Sequence, residues 1–398
     1  MTMAARGRSF DGMRGLATVP SYVVMQPTTL CNLDCAYCYL PLRAAERRMP
    51  VSVAEAVAGS VNPWAADGRF SVVWHGGEPL AAGREQLAAL IAPFGAAVEH
   101  HVQTNATLID DAWCEFFAER QIRVSVSVDG PREHNGERTT RGGRPAYDRI
   151  LRGVAALRRH GLPFSALAVV SRPAPGLATE LYEYFLSLGC DVLGINIEET
   201  EGVNTRTNAH DPATVTSFWA ELVAAWRRDP RIHLREVEWS LRYVAATLDG
   251  EADAVLPRRL DPIPTVGYDG SVTVLSPELA GFTDARYGDF SSGNVLRTPL
   301  VEILAAAERT SWVGEFLTGV EACRSSCAYF GFCGGGHAAN RYFEHGRFDG
   351  TETEHCRNSK IRLLDGVLEH ARDHQGPAAG THRSRADGSD RRAGQGRR

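Results

Sequence analysis

Apolar positions along this chain alternate between two periods, most regularly from Ser21 to about Arg228. Short runs rich in β-branched and aromatic residues read as strands at Tyr22–Gln26, Phe70–Trp74, Val98–Gln103, Ile122–Val128, Phe164–Ser171 and Asp191–Ile197. Between and after them a helical period covers Val51–Val61, Arg84–Ile91, Asp110–Arg120, Tyr147–His160, Leu177–Leu188 and Ala213–Arg227. Asp110 and Asp111 stand at a helix start, where negative charge complements the macrodipole, and Gly161 follows a helix end. Strands that alternate with helices specify an α/β protein: a parallel sheet with helices on its outer face. Six such units are too few for a closed eight-stranded barrel, so the expected architecture is an open, partial (β/α)6 barrel. In parallel α/β folds the active site gathers at the C-terminal ends of the strands. Cys31–Cys38, Gly76–Pro79, Gln103–Asn105, Ser127–Gly130 and Asn196–Glu198 all fall there.

The period fades at both ends. Residues 1–18 mix glycine, arginine and methionine, and from about Asp373 onward large apolar side chains are almost absent. Such segments bury too little surface to offset their ordering entropy and are expected to be disordered. The expected organisation is therefore a disordered 1–18, a barrel over 19–230, a C-terminal extension over 231–372 and a disordered tail over 373–398. The short stretch before the first strand is expected to hold no separate domain.

Composition narrows the classes. With 398 residues, 43% of them hydrophobic, the chain can build a large core. A net charge of −5 argues against nucleic acid as an obligatory partner. No run of 18 apolar residues occurs and no signal-peptide core is present, so a cytoplasmic protein without a membrane partner is expected. A reducing compartment suits cysteines that serve as thiolate ligands. Of 43 basic residues only Lys360 is a lysine, a bias in keeping with a GC-rich genome.

The chemistry concentrates at Cys31-x3-Cys35-x2-Cys38. Three thiolates at this spacing can ligate three irons of a [4Fe–4S] cluster and leave the fourth open to a small molecule. A zinc ribbon needs a second ligand pair nearby, and a closed relay needs a fourth cysteine, yet the next one is Cys114. Gly76-Gly77-Glu78-Pro79 follows at a strand end, where two glycines let the backbone approach a ligand closely. A second set, Cys323-x3-Cys327-x5-Cys333 with Cys356 further on, offers four thiolates to a [4Fe–4S] cluster or to one zinc ion. Cys114 and Cys190 lack ligand spacing and read as buried apolar residues.

The segment Leu30-Cys-Asn-Leu-Asp-Cys-Ala-Tyr-Cys-Tyr39 resembles the signature of radical S-adenosylmethionine (SAM) enzymes. That resemblance implies the partial barrel, a SAM-binding [4Fe–4S] cluster on Cys31, Cys35 and Cys38, and SAM itself, with Gly76–Pro79 at its amino group. Tyr37 would cover the cluster or face the adenine. Ser127 and Arg138 resemble the pair that holds SAM in anaerobic sulfatase-maturating enzymes; a guanidinium fork suits a carboxylate. Asn105 joins them as a cofactor-binding candidate, beside Gln103 and Thr104, while Asp129 reads as a turn residue at Gly130-Pro131. No catalytic base is identified.

The C-x3-C-x5-C…C order resembles the auxiliary-cluster motif of SPASM domains, which extend radical SAM enzymes that act on peptides. It implies one auxiliary [4Fe–4S] cluster on Cys323, Cys327, Cys333 and Cys356 and a SPASM-like extension. The strand–turn–strand Val266–Pro277 fits that domain. Where a sulfatase maturase carries Cys-Asp stand residues around Leu275, Ser276 and Pro277, so the acidic base of those enzymes is expected to be missing. Cys333–Arg357 resembles the ending of maturases that form three-residue cyclophanes in ribosomal peptides, and His337 and Glu352–Glu354 are candidates there to tune the cluster or accept a proton. The resemblance implies a precursor peptide as substrate, a C–C crosslink from an aromatic ring to a nearby β-carbon, and a flavodoxin- or ferredoxin-type reductant. Formylglycine formation is the alternative, and a non-catalytic metal-binding scaffold the alternative of another class.

Overall fold

The structure, a computed structural model, describes residues 15–373 apart from 207–208. The strands are β1 (Tyr22–Met25), β2 (Phe70–Trp74), β3 (Val98–Thr104), β4 (Arg123–Ser127), β5 (Phe164–Val170), β6 (Val192–Ile197) and β7 (His233–Leu234). The helices between them are α1 (Val51–Asp67), α2 (Arg84–Ile91), α3 (Asp111–Glu119), α4 (Tyr147–Arg159), α5 (Leu177–Leu188) and α6 (Pro212–Arg228), followed by α7 (Arg235–Leu248) and the short α8 (Ala252–Val255). The extension adds β8 (Thr265–Val266), β9 (Ser271–Thr273), β10 (Gly293–Asn294), α9 (Leu300–Ala306), α10 (Ser311–Ser326), α11 (Phe330–Cys333), α12 (Ala338–His345), α13 (Glu354–Cys356) and α14 (Arg362–Asp373).

β1 to β7 pair in parallel and in chain order, each strand joined to the next by a helical crossover. Strand residues alternate in burial because one face meets the helices: β3 and β5 both bury every second residue. Two caps fix helix starts. Asp110 accepts from the Trp113 amide and Asp211 from the Thr214 amide, each satisfying a donor that the first turn leaves free.

The α/β partial barrel is as expected, but its sheet does not stop at six strands. Ten strands run in the order β10-β9-β8-β1-β2-β3-β4-β5-β6-β7. β8 pairs with β1, and β7 with β6. Both edges of the barrel sheet are thereby covered by the chain beyond α6, which satisfies backbone groups that an open edge would expose. One core spans barrel and extension: Val266, Val272 and Trp312 are fully buried in the same cluster as Val23 and Trp74.

Of the termini expected to lack order, 1–14 and 374–398 lie outside the described residues. Leu16, inside the 1–18 segment expected to be disordered, is instead buried and bridges to Leu260, because its apolar side chain finds cover on the extension. Cys114 and Cys190 are buried, as expected of apolar residues. Among the described residues no helix is long and apolar enough to cross a membrane.

Candidate active site

The loop after β1 carries the first three cysteines and is tied by its backbone from several sides. Cys31 N donates to Arg43 O (2.9 Å), Asp34 N to Thr139 O (2.8 Å), Ala36 N to Glu137 O (3.0 Å) and Cys38 N to Cys35 O (3.1 Å). Gly77 packs beneath this loop: its φ is +68°, and a Cβ there would lie within 2.7–2.8 Å of the Thr28, Thr29 and Leu30 carbonyl oxygens. Only glycine fits that approach.

Cys31, Cys35 and Cys38 all line one cavity of about 580 Å³ at the C-terminal ends of the strands. Burial pushes the Cys31 thiol up to about 12 and the Cys35 thiol to about 11, and raises Cys38 as well. Three thiols held against one cavity, each costly to ionise alone, suit a cationic iron cluster that stabilises thiolates. Among the described residues no three Cys, His, Asp or Glu side chains converge on a single-ion position. Gly77, Glu78, Asn105, Ser127 and Arg138 line the same cavity, whereas the predicted Gly76 and Pro79 do not line it.

The Glu78 carboxylate faces the protein. Its oxygens accept from Leu80 N (3.1 Å), Thr104 Oγ1 (2.7 Å) and Asn105 N (2.8 Å), which ties the end of β2 to the end of β3. Burial raises it to about 7 against these hydrogen bonds. Asn105 then donates to Asn32 Oδ1 (2.9 Å) and lies 3.8 Å from Cys31 Sγ. Ser127 Oγ accepts from Gln103 Nε2 (2.8 Å).

Asp129 is not the turn residue that its sequence context indicates. The bend is held by Asn135, which accepts from Asp129 N and donates to the Gly130 and Pro131 carbonyls. The Asp129 carboxylate instead receives Tyr37 Oη (2.6 Å), Val169 N (3.0 Å) and a two-pronged contact from Arg138 (2.9 and 2.8 Å). The Arg138 guanidinium also lies 5.4 Å from the Tyr37 ring centre. Burial opposes its charge, but Asp129, Tyr37 and Cys35 together more than offset this, and its pKa stands above the ordinary value.

Glu199, Glu201 and Glu278 also line this cavity, with His337 and His355. Asn340 Nδ2 donates to both Glu199 and Glu201, at 2.7 Å each. Glu199 Oε1 lies 3.0 Å from His355 Nδ1. Burial works against the Glu199 charge, yet His355 and Asn340 bring it down to about 2. Glu201 is held well above the usual carboxylate range, first by burial and then by the charge of Glu199. Burial also raises Glu278 from 4.5 to about 7.

One residue beyond Pro277, however, an acidic side chain, Glu278, does line the cavity. Leu275 adopts a left-handed backbone (φ +69°), costly for a leucine, and so turns the chain after β9 into the Pro277–Leu279 helical turn that places Glu278 on the wall. Sequence reading missed these three carboxylates because they converge from separate stretches. Only Asn196–Glu198, next to Glu199, hinted at them.

The second cysteine set also comes together. Cys323, Cys327, Cys333 and Cys356 line a separate cavity of about 290 Å³. Arg341 is 1% exposed and lines this cavity, and among the described residues its charged neighbours are the cysteines Cys323, Cys333 and Cys356 rather than a carboxylate. It donates to the Phe316, Phe348 and Gly335 carbonyls and to Cys323 Sγ (3.3 Å). A buried guanidinium without a carboxylate needs an anion, and thiolates on a metal cluster would provide it. A hydrogen bond from Cys356 is the main cause that draws the Cys333 thiol down to about 5. His337 lines both cavities.

The radical SAM superfamily model matches residues 25–174. An uncharacterized protein of Synechocystis sp. is 33% identical over 367 residues, covering 87% of this chain and 92% of that one. The serine-type anaerobic sulfatase-maturating enzyme of Klebsiella aerogenes is 30% identical over 224 residues, 53% of this chain and 54% of that one. Among solved structures, native anSMEcpe with bound AdoMet and Cp18Cys peptide superposes with a TM-score of 0.66 at 22% identity, covering 89% of this chain and 98% of that one. The chain belongs to the radical SAM superfamily and is a radical SAM enzyme.

Proposed function

We propose that this enzyme oxidises a side chain of a peptide by two electrons, beginning at its β-carbon. Cys31, Cys35 and Cys38 would hold the SAM-binding cluster, and Gly77, Asn105, Ser127 and Arg138 would hold SAM. Cys323, Cys327, Cys333 and Cys356 would hold one auxiliary cluster. When bound, these groups supply a carbon radical that takes a hydrogen atom from an unactivated C–H bond, and an acceptor for one electron. A low-potential flavodoxin- or ferredoxin-type protein would be the reductant.

The chain's own part is to position the peptide and remove the proton. After a hydrogen atom and an electron have left, one proton remains to be taken. The observation that carries the reading is the set of carboxylates on the same cavity as the three thiols, Glu278 foremost, whose pKa of about 7 suits a general base at neutral pH. The fold shared with a peptide-bound relative supports a peptide substrate.

Oxidation of a serine or cysteine to formylglycine is the outcome best supported, by the sulfatase-maturating relatives and by the acid at Glu278. The cyclophane crosslink is the second reading, resting on the Cys333–Arg357 segment. Reconstituted, reduced enzyme with SAM and a peptide carrying serine and phenylalanine should release 5′-deoxyadenosine and a peptide lighter by two hydrogens. An aldehyde-trapping hydrazide labels the formyl product, while loss of an aromatic proton signal marks the crosslink. SAM cleavage with no peptide product would reject both.

A further inference from the structure

Lys360 has no part in the chemistry above, yet it is the chain's single lysine and lines the active-site cavity. It stands in a π-helical segment, Arg357–Ile361, and such segments recur at functional sites. Trp219 Nε1 donates to the Asn358 carbonyl (2.9 Å), which fastens the segment to α6. Among the described residues Lys360 makes no ion pair; its recorded contact is with the Trp239 ring, whose centre lies 5.3 Å from Nζ. Trp239 is 42% exposed, an unusual state for an indole unless something covers it.

A second cation shares that ring. The Arg235 guanidinium lies 5.3 Å from the Trp239 centre, donates to Asn196 Oδ1 (2.7 Å) and pairs with Glu236. Its seat is built: a Cβ at Gly194 would come within 2.8 Å of Arg235 Cζ. Next to Lys360, the Ser359 hydroxyl lines the same cavity and is buried without a hydrogen-bond partner. The cavity's carboxylates leave Lys360 unanswered. Glu78 is held by Thr104 and the Leu80 and Asn105 amides, Glu198 faces Arg206, Glu199 faces His355, Glu236 faces Arg235, and burial raises Glu201 and Glu278 above the ordinary carboxylate range.

We infer that Lys360, the Ser359 hydroxyl and the Trp239 ring form an anchor for a carboxylate of the substrate peptide, with Arg235 holding the ring in place. The ammonium answers the carboxylate charge, the hydroxyl donates to one oxygen, and the indole covers the neighbouring apolar part of the peptide. The carboxylate is either the peptide's C-terminus or an acidic side chain. This inference deepens the proposed peptide oxidation and rests on it for the identity of the ligand.

Titration calorimetry on the full, cluster-loaded protein with SAM tests it without turnover. Three probes are compared: acetyl-Phe-Gly-Ser as the free acid, the same tripeptide as its C-terminal amide, and acetyl-Phe-Asp-Ser amide. One or both carboxylate probes should bind on the order of ten- to a hundredfold tighter than the neutral amide. The free acid identifies a C-terminus as the ligand, and the aspartate probe a side chain. Lys360→Gln should abolish the preference and Lys360→Arg should keep most of it. Equal binding of all three probes by the wild type overturns the anchor, and so does a preference that survives Lys360→Gln. Because Lys360 also helps to lower Cys333, the auxiliary cluster's electron paramagnetic resonance is recorded alongside. A changed signal with an unchanged preference assigns Lys360 to the cluster and overturns the anchor. A carboxylate preference in a protein that oxidises no peptide would leave the anchor standing and reject the proposed reaction.

Discussion

Asp129 and Arg138 bury opposite charges against each other beneath Tyr37, at 1% and 7% side-chain exposure. Removing one partner leaves a buried charge uncompensated, which costs about 3–5 kcal/mol, whereas replacing both with apolar residues is often neutral. Asp129→Leu should therefore lower stability by that amount in chemical denaturation, and Asp129→Leu with Arg138→Met should recover most of it. SAM affinity should stay low in the double variant, which separates the cofactor role from the structural one. Glu278 gives a pH signature. It takes a proton only as the carboxylate, so peptide oxidation should rise with pH through about 7 and level off above it. The groups that face it are Glu199, Glu201 and His355, with the Tyr22 and Tyr39 phenols, both raised chiefly by burial. Glu278→Gln should slow peptide oxidation about a hundred- to ten-thousandfold, more than it slows SAM cleavage, and should flatten that limb of the profile. A wild-type rate that falls between pH 6 and 8, roughly one unit either side of the carboxyl's pKa, would remove Glu278 from this role.

Among the elements, those bounded by glycine or by a change of period were legible residue for residue. Leu177–Leu188 lies between Gly176 and Gly189, both left-handed, and Arg84–Ile91 starts directly after Gly83 at positive φ. α1 was read too short, because Pro63 signals a break. The helix continues to Asp67, where buried Ala65 and a Trp64–Phe70 ring contact of 5.5 Å hold the last turns despite the missing amide. The two-residue strands β7, β8 and β10 escape any periodic reading, since two residues carry no period; β8 was reached only through the strand–turn–strand pattern around it. The site followed the same rule. Cysteine spacing is local and was legible, whereas the partners of Asp129 and the convergence of Glu199, Glu201 and Glu278 are products of tertiary packing. Two glycines show how an element's turn serves the site. Gly77→Ala forces a Cβ against three carbonyl oxygens of the cysteine loop, while at Gly83 (φ +88°) nothing lies within 4 Å. Gly83→Ala should cost about 1–2 kcal/mol in backbone strain alone. Gly77→Ala should cost more and should also lower the iron retained by the first cysteine set. Equal iron content in the two variants would show that the loop does not depend on that contact.

At the scale of the whole molecule, the extension completes the barrel sheet and carries a second set of four convergent cysteines. β8 and β9 continue the sheet from β1 and lead to Glu278, while β7 and α7 cover the β6 side and bring Arg235 and Trp239 to the cavity. His337 stands on both cavities, so the place where the proton would be taken and the place where the electron would go are neighbours. This arrangement separates the duties of the two cysteine sets. Anaerobically reconstituted wild type should hold about eight irons, as two four-iron clusters require. Cys31→Ala with Cys35→Ala and Cys38→Ala should lose about four of them together with SAM cleavage. Cys323→Ala with Cys327→Ala should lose the other four, about half the total, and stop peptide oxidation at a step after hydrogen-atom removal. That second variant should also unfold at lower temperature, because Arg341 would remain buried without the anion that balances it. Substituting Arg341→Met in the same background should restore part of the lost stability but none of the oxidation. If removing the second set changes neither iron content nor peptide oxidation, the two cavities work independently, and the electron must leave by another route.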